Sequence, residues 1–145
     1  MDTARAAVRS VSELADARAL VDIGRQARLE LSFAARDGRT VLERSYVEPP
    51  FRVGHCLRGE DAGAVHLILA SSAPGVFGGD CLQQAVTVQE GARVRLTSQS
   101  AMQAHATANG AVAAVASSYR VAPGGCLQCV WDPLIPFPEG WNAVC

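Results

Sequence analysis

Lysine is missing from all 145 residues, so the 13 basic side chains are all arginine. That absence excludes Schiff-base chemistry, lysine-based phosphate binding and a carbamylatable amine. No apolar run approaches the ~20 residues a membrane-spanning helix needs. No secretory h-region precedes the five cysteines, an odd and irregularly spaced set. A disulfide framework is therefore not expected, and a reducing, cytoplasmic setting is. A net charge of −1 provides no long-range attraction to nucleic acid or to an anionic membrane. No Gly-x-Ser-x-Gly elbow occurs, nothing places two carboxylates together, and no catalytic residue is nominated.

What is present is a densely patterned loop, Pro74-Gly75-Val76-Phe77-Gly78-Gly79-Asp80. Glycines this frequent mark backbone angles or close approaches that other residues resist. Neither a Lys-Ser/Thr pair nor a helical pattern follows, so the loop is not a phosphate loop. A strand-like run over Val65–Leu69 enters it and another over Ala85–Val88 leaves it.

Residues 1–23 read as an N-terminal extension with one short helix. Ser10 and Glu13 fit a capping box, and Val8, Val11, Leu14, Ala17 and Val21 recur at helical spacing up to Gly24. The period then becomes two. Ala27, Leu29, Leu31 and Phe33 alternate with polar residues, Arg36-Asp37-Gly38-Arg39 supplies hairpin chemistry, and Thr40–Val47 returns. Further on, Val86–Leu96 can be laid over Tyr119–Cys129 at an offset of 33 residues, each copy a strand, a glycine-centred turn and a strand. A repeat of this kind suggests stacked β-coils rather than a sandwich. Ala111–Ser118 reads as a strand or a small helix. The expected fold is all-β, a β-helix-like solenoid scaffold of stacked strands with a short N-terminal helix.

Cys126-Leu127-Gln128-Cys129 invites a metal reading, but a structural zinc site needs four ligands and no second pair exists. On a strand, positions i and i+3 also face opposite sides, so core packing is the expectation. His66, Asp80 and His105 are weak metal candidates, because imidazole suits nickel, copper and zinc. A hydrogen-bonded structural role competes with that reading at each histidine. Arg93 and Arg95 share one strand face and read as a solvated side rather than a nucleic-acid groove.

The order and spacing of several segments resemble the urease accessory protein UreD family (UreH in some systems). These segments are Ala27–Phe33, Gly38–Leu42, Pro50–Val53, the Pro74–Asp80 loop, Gly91–Ala101, Gly124–Leu127 and Asp132–Phe137. The resemblance covers about four fifths of the chain and corresponds to the N-terminal half of the family. It implies a non-enzymatic chaperone for urease maturation, which binds apo-urease and the accessory proteins UreF and UreG. It further implies a conduit that routes nickel toward the apoenzyme, with no tightly bound cofactor and a nickel ion only in transit. Gly78, Gly79, Asp80 and Gln103 are the partner or tunnel candidates on this view. The family commonly carries a lysine after the Ser-Ala of the second coil, where this chain has Gln103 or His105. Residues 24–137 are expected to form the UreD-like β domain and 138–145 a divergent tail, with a truncation or frame change near Glu139. Two alternatives stand beside this one, a small metal-dependent hydrolase using Asp80, His66 and His105, and a truncated product without function.

Overall fold

The computed structural model describes residues 24–105, 111–137 and 143–144. The expected N-terminal helix lies outside these residues, as does most of the tail. Twelve strands carry the described chain: β1 Gln26–Arg36, β2 Arg39–Val47, β3 Phe51–Val53, β4 Leu57–Arg58, β5 Val65–Ser71, β6 Cys81–Val88, β7 Arg93–Ser98, β8 Met102–Ala104, β9 Ala113–Val121, β10 Cys126–Val130, β11 Leu134–Pro136 and β12 Ala143–Val144. No helix occurs among the described residues. The all-β expectation holds, and Ala111–Ser118 resolves in favour of a strand.

β1 and β2 form the hairpin that the alternation predicts, closing with Arg36 opposite Arg39. Asp37 and Gly38 both adopt positive φ, 49° and 73°. That is the pairing a two-residue type I′ turn requires to match strand twist. From β6 onward the chain runs around three sheets in succession. One sheet is ordered β12-β9-β6-β1-β2, the second β10-β7-β5-β3 with β4 on β5, and the third β11-β8. All three are open. The repeat read from the sequence is the register itself. Val86 sits opposite Tyr119 and Val88 opposite Val121, in parallel, and Arg93 sits opposite Cys126 and Leu96 opposite Cys129.

The inward positions follow from alternation. Leu29, Leu31 and Phe33 of β1 meet Leu67 and Leu69 of β5, Val86 and Val88 of β6, and Val94 and Leu96 of β7 in one buried cluster. Each such side chain contributes about 2 kcal/mol relative to exposure. A smaller cluster joins Val76 of the glycine loop to Ala27, Leu82 and Ala113. This second cluster fixes one face of the site below.

Candidate functional site

The loop 74–80 joins β5 to β6 and is stitched to its neighbours through backbone. The Val76 N–H donates to the Gln103 carbonyl at 2.8 Å, and the His105 N–H donates to the Val76 carbonyl at 2.9 Å. Val76 thereby forms a parallel bridge to Ala104 of β8. The Phe137 N–H, donating to the Ala104 carbonyl at 2.9 Å, extends the same ladder toward β11. Gly75 is needed for this approach, since a Cβ there would lie 2.2 Å from the Gln103 carbonyl oxygen. On the other side, the Gly79 N–H donates to Val112 at 3.0 Å and the Asp80 carbonyl accepts from Ala114 at 2.7 Å.

Asp80 is the buried charged residue at this corner, 3% exposed. Its Oδ1 accepts from the Arg25 amide at 2.9 Å and its Oδ2 from the Phe77 amide at 3.0 Å. Arg25 Nε reaches both oxygens, at 3.2 and 3.1 Å, and Arg25 Nη2 also donates to Oδ2. The same Nη2 donates to the Gly75 carbonyl at 2.7 Å. Burial pushes the Asp80 carboxyl up, but the Arg25 side chain, the Phe77 and Arg25 amides and the Arg25 charge outweigh it and hold it below the ordinary value. With no lysine in the chain, arginine is the side chain that brings a permanent positive charge to a buried Asp.

An aromatic column grows from this pair. The Arg25 guanidinium lies 5.4 Å from the Phe77 ring centroid. Phe77 stacks on His105 at 4.3 Å, and His105 stacks on Phe137 at 4.9 Å, nearly parallel in both cases. His105 Nε2 lies 3.3 Å from the Pro74 carbonyl. Phe77 and Phe137 are 40% and 42% exposed, so the column presents apolar ring surface to the outside.

The structure brings some of the expected residues together and separates others. Gly78, Gly79, Asp80, Gln103 and His105 converge on one corner. The backbones of Gly79, Asp80, Gln103 and His105 staple it, the Gln103 side chain is exposed, and the Asp80 lone pairs are already engaged. His66 lies on the second sheet, 2.8 Å from Thr97 Oγ1. Among the described residues no three His, Cys, Asp or Glu side chains converge in a metal-binding group. Cys126 and Cys129 face opposite sides of β10, as strand geometry requires. Cys129 packs on the core, where burial pushes its thiol pKa up against the lowering effect of the Tyr119 hydrogen bond. Cys126 is exposed, so core packing accounts for only one of the two. Arg25, Phe77 and Phe137 are the members of the corner that sequence reasoning did not nominate.

A family model described as UreD urease accessory protein matches residues 25–141, the stretch that carries Arg25, the glycine loop and Phe137. The chain belongs to the UreD family. It is 33% identical to the urease accessory protein UreD of Acetivibrio thermocellus over 80% of this chain and 44% of that relative. Identity is 37% to UreD 2 of Bradyrhizobium sp. strain BTAi1, over 77% of this chain and 40% of the relative. To UreD of Delftia acidovorans it is 38%, over 76% and 35%. The chain thus spans less than half the length of these curated UreD relatives. No helix among the described residues is long and apolar enough to cross a membrane.

Proposed function

We propose that this chain is a urease accessory protein that acts in urease maturation as a non-enzymatic β-helix-like scaffold. It works in the cytoplasm, docks apo-urease together with UreF and UreG, and lets a nickel ion pass toward the apoenzyme without retaining it. The observation that carries this reading is the family match across the whole β body. The geometry of the corner supports it. The Asp80 carboxylate is saturated by Arg25 and two amides, so it holds the backbone in shape and does not trap a cation. A conduit must bind weakly, because a dense set of thiolate and imidazole ligands would capture a transition metal.

In this role Gly78, Gly79 and Asp80 shape the corner, while Gln103 and the exposed edges of Phe77 and Phe137 offer the contact surface. The test is co-purification of the chain with apo-urease and UreF-type partners, together with urease activation in cells that carry or lack it. Capture of both partners and a fall in active, nickel-loaded urease on deletion are expected. Failure to capture either one, with urease activation unchanged, overturns the reading.

A further inference from the structure

A second polar feature lies on the outer face of the sheet formed by β5, β7 and β10, away from the glycine loop. A cleft of about 130 Å³ opens there, lined by Arg58, Arg93, Arg95, His66, Cys126 and Gln128. The register explains the convergence. His66, Arg95 and Gln128 stand side by side across three parallel strands, with Arg93 opposite Cys126 one step along. Glu60 and Asp61 of the loop before β5 form part of the wall.

The electrostatics are unbalanced. Arg95 has one carboxylate contact, Nη1 to Glu60 Oε1 at 3.5 Å, with the Glu60 side chain 90% exposed. A guanidinium matched to a carboxylate normally makes two short parallel bonds. Arg95 Nε, moreover, is buried and lacks a hydrogen-bond partner among the described residues. Buried donors of this kind are ordinarily satisfied. Three guanidinium groups against two carboxylates in a walled cleft favour a further negative charge.

We propose that this cleft is an oxyanion-binding site for a single carboxylate or phosphate group. Arg95, its side chain 38% exposed, supplies the central guanidinium, Arg58 and Arg93 supply flanking charge, and His66 and Gln128 stand beside Arg95 as polar neighbours. Glu60 is the internal competitor that a ligand displaces. The site is independent of the role proposed above, since it uses none of the corner residues.

Cys126 lies in the cleft and reports on it. Its alkylation by iodoacetate, an anion, is compared with that by neutral iodoacetamide, using the full chain, constant ionic strength and mass spectrometry. Cys56, exposed and not part of the cleft wall, is the internal reference. The iodoacetate-to-iodoacetamide rate ratio is expected to be about threefold higher at Cys126 than at Cys56, the effect in water of one unpaired charge roughly 7 Å away. Inorganic phosphate should slow iodoacetate at Cys126 saturably and leave Cys56 unchanged. An acetylated glutamate peptide run in parallel separates the sources, because stronger protection by the peptide identifies a partner's carboxylate and stronger protection by phosphate identifies a phosphorylated ligand.

Arg95→Gln should abolish the protection, and Glu60→Gln should strengthen it. The second variant changes a side chain that is almost wholly in solvent, so the test survives if the first does not fold. Equal rate ratios at the two cysteines, or no saturable protection by either probe, overturn the proposal. So does weaker protection in Glu60→Gln.

Discussion

Two arginine–carboxylate contacts in this molecule have opposite characters. At the glycine-loop corner, Arg25 and Asp80 share several hydrogen bonds, two backbone amides complete the carboxylate, and Asp80 is 3% exposed. On the outer face of the second sheet, Arg95 meets Glu60 through one 3.5 Å contact, with the Glu60 side chain 90% exposed. The first pair is saturated and immobilises backbone. The second leaves a buried N–H without a partner, beside a cleft of about 130 Å³. A contact between an arginine and a carboxylate is structural where every donor and lone pair is used and open to binding where one is not.

The largest test of this contrast is deletion of each carboxylate. Asp80→Ala strands the Arg25 guanidinium and two amides at a partly buried site and should cost about 3 kcal/mol. Glu60→Ala should stay within about 0.5 kcal/mol of zero. Urea unfolding of the two variants compares them directly, and equal losses would erase the distinction. The acid limb offers a second measurement. Because the folded Asp80 pKa is depressed, its contribution is full above the unfolded carboxylate value near 4 and is lost as pH falls through the lower folded value. Asp80→Asn should flatten the loss of stability below about pH 4.

The corner also shows which parts of the fold the sequence makes legible. Alternation at Leu29, Leu31 and Phe33 exposes the core face of β1, because a half-buried strand writes its burial into neighbouring residues. The 33-residue repeat predicts the pairing of Val86 with Tyr119, because a repeat sets equivalent residues side by side on neighbouring strands. The partner of Asp80 is not legible in this way. Arg25 lies 55 positions away, and neither residue carries a local signature of the other. The stack of Phe77, His105 and Phe137 depends in the same way on the bridge between Val76 and Ala104 and on the pairing of β11 with β8, between segments far apart in sequence. Arg93 and Arg95 read as solvated because strand alternation puts them outside. It says nothing of a loop that walls that outside face and makes it a cleft.

Next in size is the backbone approach that holds the corner closed. Gly75→Ala drives a Cβ to 2.2 Å from the Gln103 carbonyl oxygen and should cost about 3 kcal/mol, since neither partner is a side chain that can swing away. Gly38→Ala, at the tip of the β1–β2 turn, meets no atom within 4 Å. It should cost only the ~1 kcal/mol of a left-handed backbone. Gly75 also has a positive φ, 152°, so thermal melts of the pair show how much the clash adds to backbone strain. A smaller loss is expected for His105→Ala, about 1–2 kcal/mol, from two ring contacts worth ~0.5–1.5 kcal/mol each. His105→Phe should recover most of it. If it does not, the hydrogen bond to Pro74 outweighs the stacking.

The smallest effect carries the sharpest distinction, because its sign changes. Arg25→Met removes the counterion of a buried carboxylate and should be destabilising by about 3 kcal/mol, as Asp80→Ala is. Arg95→Met removes a guanidinium whose Nε gives up water on folding and gains no protein partner among the described residues. An unsatisfied buried donor costs ~1–3 kcal/mol, and the partial exposure of the Arg95 head reduces that figure, with the side chain 38% exposed. Methionine keeps an unbranched stem and brings no donor, so the variant should be neutral or more stable by up to about 1 kcal/mol. The gain in stability should accompany the loss of oxyanion protection at Cys126, since binding sites retain unsatisfied groups at the expense of the fold. Unfolding both methionine variants side by side decides the matter. A loss at Arg95 as large as that at Arg25 would make the outer contact structural and close the cleft to the ligand proposed for it.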